Sequence, residues 1–388
     1  MSLREALVAV LIAFFTGVLV AGSLRSDPGG RTTFSEDEGL SGTRPHIRWR
    51  VTSAFGTHLP ALGENAIHVA ERLRAASEGL IDWTVDDPGE VVPAFAIVEA
   101  VAAGKIEAGY TWLGYEEGRL PVSVLFGAVP FGMTPWEYSA WWVEGGGSDL
   151  AREIYRPLGI EPILCGLIGP ETAGWFRNPI ETPEDLSGLK IRFAGLGGRA
   201  LQRLGAAVTM LPGGELFQAL EKGAIDATEY SLPEVDHRLG FDRIARFNYF
   251  PGWHQPHTAF HLVVNRSNWE ALPMATRTTI ELACGEGVHR NLAQAEARQG
   301  AVIEALEARG VETRALSPML MGALEAAVGA VLEEEAAADP DFARVLEHQR
   351  RFRAGHARWR RLAYPPESDG DERGATGRAT GDAGNAAP

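Results

Sequence analysis

Short apolar runs bounded by glycine and polar turn residues alternate along this chain with longer segments of helical period, and that alternation predicts an α/β fold. The run Ile47-Arg-Trp-Arg-Val-Thr52 reads as a first strand, followed by a helix over roughly 60–77 and a strand over 81–85. A helix ending at Ala103-Gly104 leads into a strand over 106–112, because glycine takes the left-handed backbone of a helix stop without steric cost. Val101-Ala-Ala-Gly-Lys-Ile-Glu-Ala108 and Leu220-Glu-Lys-Gly-Ala-Ile-Asp-Ala227 share one order: helix, glycine stop, apolar residue, acid, alanine. Two such units suggest two lobes on one βα plan, although many helix-to-strand joints look alike.

Helix starts are marked by a capping hydroxyl or carboxylate before proline, at Thr134-Pro135, Thr182-Pro183, Ser317-Pro318 and Asp339-Pro340. From about residue 268 the pattern reads as helices only, too many for one lobe, so these helices are expected to lie across both. Two buried-strand patterns each carry a charge: Arg192 within Leu189-Lys-Ile-Arg-Phe-Ala194, and Glu229 closing Ala224-Ile-Asp-Ala-Thr-Glu229. A lone buried charge costs several kcal/mol, on the order of a strong interaction, so each implies a partner in the fold or in a ligand.

The chain has 388 residues, 45% apolar and 22% charged, which suits an ordinary globular protein with room for two domains. A formal charge of -15 opposes nucleic acid and other polyanions as partners. Cys165 and Cys284 belong to no CxxC pattern, and Cys284 shares a helical face with Ile280, Val288 and Leu292, so a buried free thiol is expected. Residues 1–24 read as a signal peptide or signal anchor: Arg4 precedes an apolar or small run from Ala6 to Ala21 and then Gly22-Ser23. This places the protein in the periplasm, exported, or held at the inner membrane if the segment is uncleaved. Residues 365–388, poor in apolar bulk, read as a disordered tail.

Gly195-Leu-Gly197-Gly-Arg-Ala200 matches the G-x-G-x-x-A spacing of a dinucleotide site. The context opposes it, since the following helix, about 199–205, is too short for a full crossover and the next strand, 208–211, ends in Pro212 with no acid for a ribose. A tight strand-to-helix turn fits better. His254, His257 and His261 are close enough to suggest zinc, but His257 and His261 alternate along a strand with no carboxylate among them, which favours structural or rim histidines. The last helix carries Arg350, Arg351, Arg353, Arg358, Arg360 and Arg361. Its apolar stripe of Phe342, Val345, Leu346, Phe352, Trp359 and Leu362 favours an amphipathic helix with a wet arginine face, or a homodimer contact, over a nucleic-acid surface. No catalytic elbow or paired-carboxylate spacing stands out.

At Ala173-Gly-Trp-Phe-Arg-Asn-Pro-Ile180, Thr182-Pro-Glu-Asp-Leu-Ser-Gly-Leu-Lys-Ile-Arg192 and Ala219-Leu-Glu-Lys-Gly-Ala-Ile-Asp-Ala-Thr-Glu229, the chain resembles the extracytoplasmic solute receptors of TRAP (tripartite ATP-independent periplasmic) transporters. Ala128-Val-Pro-Phe-Gly-Met-Thr-Pro135 and Tyr249-Phe-Pro-Gly-Trp253 resemble the branch that binds 2-oxo acids or lactate with a metal ion. The resemblance covers about 46–362 and implies an α/β, two-lobed periplasmic-binding-protein-like fold with mixed sheets. Lobe I would span 45–165 and lobe II 166–256. A return strand and the C-terminal helices, 257–364, would pack across both.

The implied function is capture of a small monocarboxylate and its delivery to a TRAP membrane permease. Arg192 matches the arginine that grips the solute carboxylate, and its planar fork suits that role. Glu229 matches the metal carboxylate, beside the backbone carbonyl of Tyr230, while Tyr110 and Trp112 would wall the pocket. Two identities are exchanged: Glu171 stands where the branch has a metal-binding amide, and Gln255 where it has a further acid. Glu171, Glu229 and a monocarboxylate balance Arg192 and a divalent ion, which favours calcium over sodium. On the residues alone, an ion pair within the fold between Arg192 and Glu229 stands as an equal alternative. The resemblance turns each toward an outside partner. A secreted metal-dependent enzyme using Glu171, Glu229 and the histidines, a receptor for another acid such as a dicarboxylate, and a structural envelope protein are the rival readings.

Overall fold

The computed structural model describes residues 46–364, so the expectations for residues 1–24 and 365–388 lie outside the described residues. The chain begins a first sheet with β1 (Ile47–Ser53), β2 (Ile81–Asp86), β3 (Ala108–Trp112) and β4 (Ile160–Ile168). It crosses to a second sheet for β5 (Gly174–Phe176), β6 (Lys190–Arg192), β7 (Ala207–Thr209), β8 (Ala227–Thr228) and β9 (Phe247–Phe250), returns for β10 (Thr258–Asn265), and crosses once more to β11 (Glu312–Ala315). The sheet orders are β2-β1-β3-β10-β4 and β11-β9-β5-β8-β6-β7. Both are mixed: β10 runs antiparallel to β3 and β4, and β5 antiparallel to β8 and β9, among otherwise parallel pairs.

The patterning explains the strands. In β1 the apolar positions Ile47, Trp49 and Val51 point inward, and Trp49 stacks on Trp83 of β2, directly opposite in register, at 5.9 Å. The two helix-glycine-strand units hold as structure. Gly104 (φ 67) and Gly223 (φ 70) both close a helix in the left-handed region, and β3 and β8 begin four residues later in each case, at Ala108 and Ala227. That shared offset puts Tyr110 and Glu229 at equivalent places in the two sheets.

Three connections join the sheets: residues 169–173, residues 251–257, and the helix Met274–Glu307, whose 34 residues span about 50 Å at 1.5 Å per residue. This helix packs on β4 and the helix Gly63–Ala76 of the first half, and on the helix Pro233–Leu239 of the second. The helix Pro318–Ala338 packs on Gly195–Arg203 and on the last helix, Pro340–Ala363, which returns to Pro135–Val143. The C-terminal helices therefore clamp both halves. No described helix is long and apolar enough to cross a membrane.

Several sequence expectations are corrected. Cys165 and Cys284 form a disulfide across 119 residues of sequence, tying β4 to the long helix. The apolar face that suggested a buried thiol is the face laid on β4, where Gly287 allows close approach: a Cβ there would come within 3.1 Å of the Cys165 carbonyl. The region after 268 is not wholly helical, because β11 pairs with β9 at a sheet edge. Its Glu-Thr-Arg-Ala sequence has no apolar alternation to announce it. The helix expected at 199–205 begins at Gly195, four residues early, and the strand after it is Ala207–Thr209. In the last helix, Phe342, Val345 and Leu346 are buried, but Trp359 and Leu362 are 60% and 77% exposed, since the stripe runs past the elements that cover its first half.

Candidate solute and metal site

β6 and β8 are parallel neighbours in register, Ile191 opposite Ala227 and Arg192 opposite Thr228, so Arg192 and the residue after β8, Glu229, emerge side by side. Both are almost wholly buried, and they face each other: Arg192 Nη1 donates to Glu229 Oε1 at 2.9 Å and to the Glu229 carbonyl at 2.8 Å. Arg192 Nε donates to the Leu211 carbonyl at 3.2 Å, and the guanidinium lies over the Tyr230 ring at 5.3 Å. The Ala194 amide also donates to Glu229 Oε1, at 2.7 Å. The ion pair within the fold, one of the two readings of these charges, is present, while Glu229 Oε2 keeps no hydrogen-bond partner in the protein. The side chains meet because adjacent parallel strands in register bring them out side by side. Burial works against the Arg192 charge, but Glu229, Tyr115, Tyr230 and Glu171 outweigh it and hold the guanidinium pKa up.

The two short connections between the sheets cross at this point. The Glu171 amide donates to the Gln255 carbonyl at 3.2 Å, and Gly252 lies so close that a Cβ there would stand 2.1 Å from the Glu171 carbonyl. This crossing carries Glu171, His254 and Gln255 to the Arg192–Glu229 pair. Glu171 Oε1 accepts from the Thr258 hydroxyl at 2.8 Å, and its Oε2 lies 3.6 Å from His254 Nε2. Burial, then the nearby Glu229 charge, push the Glu171 carboxyl well above the usual range, against the Thr258 hydrogen bond and Arg192. Burial lowers His254 to about 4, so its ring is neutral near neutral pH.

A small pocket of about 20 Å³, room for about one water molecule, lies among these groups. Arg192, Glu171, Glu229, Tyr230, Gln255 and Trp112 all line it, as do Thr258, Phe55, Tyr115 and Phe260. The Trp112 indole fits over Gly127 and Gly195, where a Cβ would stand 2.2 and 3.0 Å from the ring. Tyr110 does not line the cavity. It packs behind the lining residues Phe55 and Phe260, its hydroxyl accepting from Asn65 Nδ2 at 3.0 Å. Tyr230 also borders a larger cleft of about 620 Å³, formed with Ala54, Leu59, Pro93, Gly213 and Phe217 among others.

The donor atoms fit a cation. Glu171, Glu229 and His254 each offer a ligand atom within 4.8 Å of the others. Glu171 Oε2, Glu229 Oε2 and both His254 ring nitrogens have no hydrogen-bond partner in the protein, an arrangement that is rare for buried polar atoms and needs a reason. Sequence reasoning set His254 aside with the other histidines because no carboxylate was interleaved among them. The carboxylates arrive instead from 171 and 229, far away in sequence. His257 and His261 lie apart from the cluster: His257 Nδ1 donates to the Met133 carbonyl at 2.9 Å, and His261 packs on Trp142 at 4.8 Å. Tyr115 and Thr258 were also missed, and no local pattern marks either one.

The model of the family DctP, bacterial extracellular solute-binding protein, family 7, matches residues 57–339. The chain belongs to this family. A monocarboxylate 2-oxoacid-binding periplasmic protein of Nostoc sp. is 34% identical over 362 residues, covering 93% of this chain and 96% of the relative. A TRAP transporter solute-binding protein from Bordetella bronchiseptica, a mixed-occupancy dimer with copurified calcium and picolinate, superposes with a TM-score of 0.81 at 31% identity, covering 82% of this chain and 95% of the other. A TRAP periplasmic solute-binding protein from Colwellia psychrerythraea, with calcium and pyruvate, gives 0.78 at 31% identity, and one from Pseudoalteromonas atlantica, with sodium and pyruvate, gives 0.78 at 32%. Each of these two covers 82% of this chain and 97% of the other. As a DctP-family protein the chain is a TRAP-type solute-binding protein with the two-lobed fold of that group, and its similar proteins are periplasmic solute binders rather than enzymes.

Proposed function

We propose that this protein captures a small monocarboxylate, a 2-oxo acid or a lactate-like acid, together with a calcium or sodium ion outside the cytoplasmic membrane, and presents it to a TRAP permease. The observation that carries this reading is a buried arginine whose charge, with unpaired oxygens of two buried carboxylates, converges on a small pocket at the crossing of the two inter-sheet connections. Arg192 binds the solute carboxylate, and Tyr230 and Trp112 shape the space around it. Tyr110 supports the wall from behind. Glu229, Glu171, the Gln255 side chain and the Tyr230 carbonyl hold the ion, which when bound supplies the positive charge that lets two carboxylates and an anionic solute share one cavity. Glu171 keeps the acid count that Gln255 gives up.

Lobe I over 45–165 and lobe II over 166–256 part to admit the solute and close on it, with 257–364 as the clamp. In this reading the protein performs no chemistry on its solute, and the exposed Trp359 and Leu362 of the last helix supply a homodimer contact. A thermal-shift screen of small carboxylates, with calcium, sodium or chelator, tests the proposal. A true ligand at a hundred times its dissociation constant stabilises by about 2.7 kcal/mol. Recovery of pyruvate unchanged supports a receptor, whereas turnover, or no shift with any carboxylate and ion, overturns it.

A further inference from the structure

We propose that a cavity under the two C-terminal helices is a second ligand site, for a small apolar carboxylic acid whose neighbouring carbon carries a hydrogen-bond donor, a 2-amino or 2-hydroxy acid. The cavity has about 250 Å³ and is walled by residues 129–133, by His257, and by the helices Pro318–Ala338 and Pro340–Ala363. That exceeds the roughly 150 Å³ in which a benzene fits. None of its lining residues lines the pocket at Arg192 and Glu229. Val129, Val328, Leu332 and Leu346 give it apolar walls that suit an aliphatic side chain.

The chemistry of the ligand follows from the polar groups. His257 is 1% exposed, and its Nδ1 donates to the Met133 carbonyl at 2.9 Å. A carbonyl only accepts, so Nδ1 carries the proton and the neutral ring leaves Nε2 as a bare acceptor. That nitrogen has no hydrogen-bond partner in the protein, which is rare for a buried polar atom, and a donor on the ligand supplies one. Among the exposed lining residues, Arg350 is paired with Glu333 at 2.8 Å, whereas Arg353 and Glu325 form no ion pair among the described residues. Arg353 is therefore free for a carboxylate, and Glu325 for an ammonium. A 2-oxo acid offers only acceptors at the carbon in question and would face Nε2 lone pair to lone pair, so the two sites differ in the acids they take. The wall is fixed in place: Phe131 holds the left-handed φ of 53, its amide donates to the Trp253 carbonyl at 2.8 Å, and its ring lies 5.8 Å from that of Trp253.

The test is a calorimetric titration of the full chain with L-leucine, with 2-hydroxy-4-methylpentanoate and with 4-methyl-2-oxopentanoate, in excess calcium and pyruvate so that the Arg192 site is already filled. At least one of the two donor-bearing acids is expected to bind, and which of them binds tells an ammonium from a hydroxyl. Gly329 lines the cavity with nothing within 4 Å of where a Cβ would stand, so Gly329→Phe fills the space without a clash. This variant should weaken that binding by at least about tenfold and leave pyruvate affinity unchanged. His257→Phe, which keeps a ring against Tyr138 at the present 4.3 Å, should weaken it similarly by removing the acceptor. No binding by either donor-bearing acid, binding that survives Gly329→Phe, or equal binding of the 2-oxo acid at a site that Gly329→Phe removes, overturns the proposal. Failure of pyruvate to bind would overturn the receptor reading instead, and leucine binding sensitive to Gly329→Phe would still support the second site.

Discussion

Arg192 and Glu229 form a buried ion pair at 2.9 Å between neighbouring parallel strands, and the same glutamate carries an unpaired oxygen into the metal cluster. One carboxylate thus serves both the fold and the site. Removing either partner leaves a charge buried without compensation, so Arg192→Met and Glu229→Leu are each expected to cost about 3–5 kcal/mol in denaturant unfolding. The double variant should cost clearly less than their sum, with a coupling of roughly 0.5–3 kcal/mol. Additive losses would mean that the pair is not a stabilising unit. Solute binding should be lost in every variant lacking Arg192.

The Cys165–Cys284 bridge closes a loop of 119 residues and pins the long helix to β4. Loop-closure arguments assign such a link a few kcal/mol, so Cys165→Ser with Cys284→Ser should lower stability by about 2–5 kcal/mol. Chemical unfolding of both forms without reductant measures it. Equal stability would show that packing of the helix alone holds the contact.

Gly252 stands where the two connections touch, with space for a Cβ blocked by the Glu171 backbone at 2.1 Å. Gly252→Ala must push the segments apart and move Glu171, His254 and Gln255 together. Loss of carboxylate binding by at least about tenfold is expected, read by calorimetric titration. Unaltered affinity would show that the crossing does not set the site.

Burial lowers His261 to about 3, far below its ordinary value of 6.5. Below about pH 6.5 the unfolded chain takes a proton that the folded chain refuses, so this group makes stability fall as pH drops from about 6.5 toward 3. The slope from one such histidine approaches 1.4 kcal/mol, roughly, per pH unit. His261→Leu should flatten that acid limb in a series of thermal melts, and identical slopes in the two proteins would rule the histidine out as its source.

The alternation of short apolar runs and glycine-stopped helices determined the α/β class, and the two βα units at 101–108 and 220–227 recur in the structure with the same offset from glycine to strand. Arg192 and Glu229 stood out because a charge inside a strand pattern breaks a local rule that any reader of the chain can apply. What lay beyond local pattern was every relation between distant segments. The partnership of Cys165 with Cys284 depends on which helix face meets β4, and β11 exists only because β9 offers it an edge. His254 looked like a histidine without acids until the crossing of the two connections set Glu171 beside it and the end of β8 supplied Glu229, bringing together groups from 171, 229 and 254 within 4.8 Å. Sequence fixes the periodicity and polarity of each segment, which are short-range properties of the backbone. Only tertiary packing decides which buried charges, sulfurs and imidazoles face one another, because that choice is made by the burial of whole faces rather than by the residues themselves.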